Sequence, residues 1–246
     1  MADRVLLPEE DAYGQAMLDA LDGQPTLEVV ERDDGYVGLG AGPELYLAQY
    51  EQWRQVERDA MAFVSGRVLD IGCGAGRFML HLRSLGHEVV GIDNSPGAIQ
   101  ACNRRGLSQA HLQALQELGS ELGNFDTILM LGGNFGLLGA PEEARETFRR
   151  LREMMRQGGR LLGASRDPRA TSDPDRLSYM QRNVEEGRLP GHFRIRIRYR
   201  RFATPWFDFL RVSPEEMGNL ADGTGWQLVK VLREDESLYI GVLQPA

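Results

Sequence analysis

Apolar positions in the middle of this chain alternate between two periods. Short apolar runs at 67–71, 88–92, 127–131 and 160–164 have the length of buried strands. A weaker run lies at 111–115. Between them, helical spacing covers 77–85, 96–105 and 141–155. The last places Ala144, Phe148, Leu151 and Met155 on one face, with Gly158-Gly159 as its expected stop. This βαβα pattern predicts an α/β fold with a doubly wound, mainly parallel sheet.

The flanks read differently. Residues 8–21 predict a short helix, and 27–31 with 36–39 predict a hairpin around Asp33-Asp34-Gly35. Gly42-Pro43-Glu44 opens a further helix, with Tyr46, Tyr50, Trp53, Ala60 and Phe63 at helical spacing. Past Ser165 comes a polar stretch with a helix expected over 174–186. Two strands, 193–202 and 206–212, then flank the turn Thr204-Pro205. Ser213 and Glu216 form a capping-box signature. Runs at 226–232 and 238–243 close the chain as two strands. The segment 166–212 therefore interrupts the α/β alternation as an inserted β-hairpin and helical cap.

Composition narrows the function classes. The net charge of -8 argues against general nucleic-acid binding. Two cysteines, Cys73 and Cys102, make neither a disulfide framework nor a zinc set, and four scattered histidines have no ligand spacing, so no metal is expected. No apolar run suits a membrane span. The start, Met1-Ala2-Asp3-Arg4, lacks the order of a signal peptide, and a cytoplasmic protein is expected.

The chemistry concentrates in three stretches. Val68-Leu69-Asp70-Ile71-Gly72-Cys73-Gly74-Ala75-Gly76-Arg77 is a buried strand running into three alternate glycines and a helix. Glycines there permit close backbone approach and positive φ, and the following helix offers free amides. The spacing G-x-G-x-G differs from the dinucleotide pattern G-x-G-x-x-G. Asp93 ends the next strand, 17 residues after Gly76, where a carboxylate can accept both hydroxyls of a ribose. Phe125-Asp126-Thr127-Ile128-Leu129-Met130-Leu131 then runs into Gly132-Gly133-Asn134 at the carboxyl edge of the sheet.

In combination these stretches resemble the class I S-adenosylmethionine (SAM)-dependent methyltransferases, over 46–164 and again over 213–243. The resemblance implies a seven-stranded Rossmann-like sheet. It implies one methyltransferase domain over 1–246, with 1–65 covering the cofactor and 166–212 capping the substrate. It also implies roles. Asp70 orients the glycine loop and, through it, the ligand's amino group; Gly72, Cys73 and Gly74 pass under the methionine part. Asp93 grips the ribose, with Asn94 and Ser95 beside the adenine. Leu131 and Gly132 lie near the sulfonium, while Tyr46 and Tyr50 cover the site. The family often contacts the adenine amine with an acid after the third strand. This chain has His111-Leu112-Gln113-Ala114-Leu115-Gln116 there, so the backbone of Ala114 or Leu115, or an amide of Gln113 or Gln116, takes that place.

The acceptor side is less defined. The loop Gly132-Gly133-Asn134-Phe135 is not the N/D-P-P-Y/F motif of base-nitrogen methylation. A small-molecule acceptor is therefore expected, methylated at nitrogen or oxygen, with S-adenosylhomocysteine (SAH) as coproduct. Candidate bases or positioning groups are Asn134, Asp167, His192 and Asp208. The chain has one lysine and 27 arginines, and 145–201 holds 16 Arg against seven acids. In Arg194-Ile195-Arg196-Ile197-Arg198-Tyr199-Arg200 the arginines share one strand face. They either meet acids, including those of a second subunit in a homodimer, or form with Arg166 a rim for an anionic acceptor. The rival readings are a non-catalytic SAM-binding protein, a nucleotide-dependent oxidoreductase and an aminopropyl transferase.

Overall fold

The computed structural model describes residues 4–40 and 42–246; Met1-Ala2-Asp3, on which the signal-peptide reading bears, lie outside them. In chain order the elements are α1 (Ala12–Leu21), β1 (Val29–Arg32), β2 (Val37–Leu39), α2 (Pro43–Leu47), α3 (Gln55–Ala60), β3 (Val68–Ile71), α4 (Arg77–Ser84) and β4 (Val89–Asp93). Then follow α5 (Pro96–Arg104), β5 (Ala110–Leu112), β6 (Phe125–Met130), α6 (Pro141–Glu153), β7 (Met155–Arg166) and α7 (Pro174–Glu185). The last are β8 (His192–Tyr199), β9 (Phe202–Ala203), β10 (Phe207–Leu210), α8 (Pro214–Ala221), β11 (Trp226–Arg233) and β12 (Leu238–Pro245). The main sheet has seven strands in the order β11-β12-β7-β6-β3-β4-β5. Among the described residues no helix is long and apolar enough to cross a membrane.

The chain packs as two compact units. The first comprises the described residues up to Trp53, with Arg67–Leu118 and Arg194–Phe207. Its parallel pairs are β3-β4 and β4-β5. Every residue of β3 is buried, as expected for a strand covered on both faces. The hairpin β1-β2 forms as expected, and β1 also pairs antiparallel with β8, from Val29 opposite Arg198 to Arg32 opposite Ile195. The expected cap thus divides: Arg194–Phe207 groups with the first unit, because β8 pairs along one edge with β1 of the N-terminal hairpin.

The second unit comprises Arg54–Gly66, Gly119–Phe193 and Asp208–Ala246. Here β6 and β7 are parallel, while β7-β12 and β12-β11 are antiparallel. Ser213 caps α8 as its sequence requires: its Oγ accepts from Glu216 N at 3.2 Å, and its own N–H donates to Glu216 Oε2 at 2.8 Å.

Two expectations need correction. The helix expected from Gly42 to Phe63 is broken into α2, a 3-10 turn at Tyr50–Gln52, α3 and a second 3-10 turn at Met61–Phe63. Ala48, Gln49, Trp53 and Arg54 adopt extended backbone, and the Trp53 indole N–H donates to Ala48 O at 3.0 Å across the break. Gly158-Gly159 does not stop α6, which ends at Glu153. The pair instead lies inside β7, where the register to β6 slips between Phe125 and Thr127.

Candidate cofactor site

The first unit assembles a pocket floor from the ends of β3 and β4. Gly72, Gly74 and Gly76 all have φ between 55° and 75°, a conformation that would strain an L side chain. A Cβ on Gly76 would also collide with Leu107. The N–H groups of Gly72 and Cys73 donate to Ile92 O at 2.9 and 3.0 Å, which ties the loop to β4. Asp93 completes the tie: Oδ2 accepts from Gly74 N at 2.9 Å and Oδ1 from Ser95 N at 3.0 Å. Burial pushes the Asp93 carboxyl up to about 6, while the amides of Ser95 and Gly74 pull the other way.

Asp70 lies beneath the loop, 1% exposed, and its Oδ2 has no hydrogen-bond partner. Burial raises its carboxyl to about 7, against the pull of Arg77. A buried acceptor with nothing to accept is costly in a ligand-free fold. Cys73 and Cys102 are free and buried; their mutual hydrogen bond and burial push the Cys73 thiol up. Cys73 is thus a small residue in a tight turn and not an activated thiol.

The N-terminal helix covers this floor, through residues that the motifs alone do not reveal. Met17 of α1 lies where a Cβ on Gly74 would point. Tyr13 and Tyr46 meet edge to face at 6.0 Å, and the Tyr46 hydroxyl donates to the buried Glu28 at 3.3 Å. Burial, followed by Glu28 and Asp93, pushes the Tyr13 phenol up, so these carboxylates and phenols share one region. Asp11 is the anchor. It accepts from Gly14 N at 2.9 Å, from the Ser95 hydroxyl at 2.6 Å and from Gly97 N at 2.7 Å, so one side chain caps both α1 and α5. Its N-cap signature is local and readable; its hold on α5 is not.

Other predicted cofactor residues have defined neighbours. Tyr50 stacks on His81 at 4.1 Å and packs against the buried Trp53. The Asn94 amide donates to Arg4 O at 2.9 Å, and the Ser95 hydroxyl, besides serving Asp11, accepts from Ala98 N. Ala114 and Leu115 are buried just after β5, where Gln113 N donates to Asp93 O at 2.9 Å.

A family model described as a methyltransferase domain matches residues 68–159, from β3 into β7. A SAM-dependent methyltransferase from Bacteroides fragilis, solved in complex with SAH, is 26% identical with both chains covered in full and a TM-score of 0.83. Residues 68–159 thus match a methyltransferase domain, and the chain as a whole is similar to a SAM-dependent methyltransferase. The CcbJ methyltransferase from Streptomyces caelestis shares the fold at 17% identity, 96% and 99% coverage and a TM-score of 0.63. The putative methyltransferase YqeM of Bacillus subtilis is 28% identical over 47% of this chain and 48% of its own length. The chain thus spans about half the length of the curated relatives it matches.

The acceptor-side expectations fall mostly in the second unit. Leu131 is buried after β6, Gly132 and Gly133 have φ of 68° and 93°, and Asn134 opens a 3-10 turn. Asp167 closes a turn, accepting from Arg169 N at 3.0 Å. His192 and Asp208, named separately as base candidates, are together: Nε2 and Oδ1 are 3.3 Å apart. Arg196 and Arg198, in the first unit, both pair with Glu31 of β1, and Arg196 also lies over the Trp206 ring at 4.7 Å. Their partner acid is in the same chain. Arg200 lies beyond the end of β8, not on its face.

Proposed function

We propose that this chain transfers the methyl group of SAM to a small-molecule acceptor, at nitrogen or oxygen, with SAH as coproduct. The observation that carries the reading is the floor itself: a left-handed glycine loop stitched to Asp93, above a buried Asp70 with an unsatisfied oxygen. These residues fit the cofactor. Asp93 accepts the backbone amides of Gly74, Ser95 and Asn94 and keeps lone-pair capacity for a ribose hydroxyl. The loop offers backbone without side chains to the methionine part, with Asp70 beneath to favour its ammonium. Ala114 and Leu115 serve the adenine edge, and Tyr13 with Tyr46 exclude water from above.

Bound SAM supplies an already activated methyl, so the protein's part is alignment and water exclusion. A base is needed only for a hydroxyl or a protonated amine, and His192, oriented by Asp208, fills that role. Recognition of an anionic acceptor rests on Arg166 rather than on Arg196 and Arg198. Arg166 ends β7 opposite Leu238. Its guanidinium pKa is lowered by burial and by the nearby charges of Arg54 and Arg176, with Asp235 as the offsetting acid. Asp235 in turn caps the turn into β12, accepting from Ser237 N and Leu238 N at 2.8 and 2.6 Å. With Arg54 and Arg176 near it, Arg166 offers positive charge to a carboxylate or phosphate on the acceptor. The buried free thiols suit a cytoplasmic protein, and intrachain pairing of Arg196 and Arg198 leaves the homodimer without its original motive.

A labelled-methyl screen against cell metabolites tests the reading. The expected result is a methylated product that Arg166→Gln reduces at least about tenfold through KM. Cofactor binding with no product from any extract would favour a non-catalytic SAM-binding protein.

A further inference from the structure

A second charged cavity lies away from the glycine loop. It is a surface pocket of about 330 Å³ lined by Gln15, Arg200, Arg201 and Phe202. Gln15 and Asp19 sit one turn apart on α1. Met17 and Tyr13, which face the cofactor floor, are each two positions, about 200°, around the same helix from Gln15. The pocket therefore lies across α1 from the loop.

Its polar groups are arranged by Asp19, whose side chain is 13% exposed. That carboxylate takes three donors: Gln15 Nε2 at 2.9 Å, the Tyr199 hydroxyl at 2.8 Å and Arg200 Nη1 at 2.8 Å. The Tyr199 phenol is pushed up to about 12 by burial and by Asp19, so it remains a donor. Asp19 thus has three of its roughly four acceptor sites filled, while Arg200 keeps further N–H groups. Arg201 is exposed, rests over the Phe202 ring at 5.2 Å and has no carboxylate partner among the described residues.

The backbone adds an independent sign. Tyr199 pairs with Phe202, so Arg200-Arg201 is a two-residue hairpin turn. Arg200 has φ 50°, the only positive φ outside glycine among the described residues. Glycine is favoured at such a position. Strained residues of this kind cluster at ligand sites, where the surrounding structure holds them in place.

We propose that this pocket binds a phosphate group of a small soluble ligand, with Arg201 and the free N–H groups of Arg200 as donors and Asp19 as the positioning carboxylate. This is a site additional to the proposed cofactor and acceptor sites and does not depend on them. The test is titration of the full chain with inorganic phosphate, followed by NMR at the Gln15 side-chain amide and the Arg200 and Arg201 backbone amides. Saturable shifts at all three are expected. Arg201→Gln should weaken them at least about tenfold, while its SAH affinity should equal that of the unmodified chain. Arg200→Gly, which relieves the backbone, should keep the fold and weaken phosphate binding. No saturable shift, or unchanged affinity in Arg201→Gln, would overturn the proposal. So would capture on anionic phospholipid vesicles without a response to free phosphate.

Discussion

At Asp93 both carboxylate oxygens already accept backbone amides, one from the glycine loop and one from the start of α5. Asp93→Asn keeps the size but turns one acceptor into a donor facing an N–H. Calorimetry should show SAH affinity reduced at least about tenfold. Asp70 makes a different prediction, because its carboxyl rises from 3.8 to about 7 in the fold. Between those values the folded chain keeps a proton that the unfolded chain has released. Stability from this group is therefore full below about pH 4 and declines as pH rises to about 7. Asp93, raised to about 6, adds a decline of the same sign. In thermal denaturation without cofactor, Asp70→Asn should flatten the fall in Tm between pH 5 and 8. A variant with the wild-type slope would show that Asp70 is ionised throughout.

At the scale of elements, the cover over the floor depends on how closely α1 approaches α5. A Cβ on Gly97 would stand 2.7 Å from the Gly14 backbone, so the two helices meet through glycine. Gly97→Ala should cost about 1–3 kcal/mol in urea denaturation and weaken SAH binding as α1 shifts. Gly218→Ala is the contrast: it lies within α8, and its Cβ would meet only Leu228, at 3.9 Å. That change should be neutral or stabilising by up to about 1 kcal/mol. The arginines of β8 face Glu31, and Arg198 is largely exposed. Arg196→Ala with Arg198→Ala should cost no more than about 1 kcal/mol and leave SAH affinity unchanged. A large loss of turnover in that variant would return these residues to the acceptor site.

Elements were readable where periodicity and burial agree. The strands β3, β4 and β6 are apolar runs of the right length, and they are buried where expected. The segment after Gly42 has helical spacing of apolar residues, yet its backbone extends at Ala48 and Trp53. Such a break depends on where the Trp53 indole finds a carbonyl, which spacing does not encode. Within the site, the glycines and Asp93 follow from a local motif. The hold of Asp11 on Gly97 spans 86 positions, and that of Tyr46 on Glu28 spans 18. Neither leaves a periodic trace.

Across the whole molecule, the charge asymmetry along the chain is answered within each unit. In the basic stretch, Arg156 pairs with Asp126 and Arg169 with Glu216, while Arg196 and Arg198 meet Glu31 and Arg200 meets Asp19. The positive charge around Arg166 and at Arg201 carries the proposals on acceptor and phosphate. The fold, the glycine loop and Asp93 carry the central claim, that this floor binds SAM. Calorimetric titration of the full chain with SAH tests it most directly. One site per chain is expected, with affinity at least about tenfold weaker in Asp93→Asn. An absence of binding, or equal affinity in the two proteins, would contradict it.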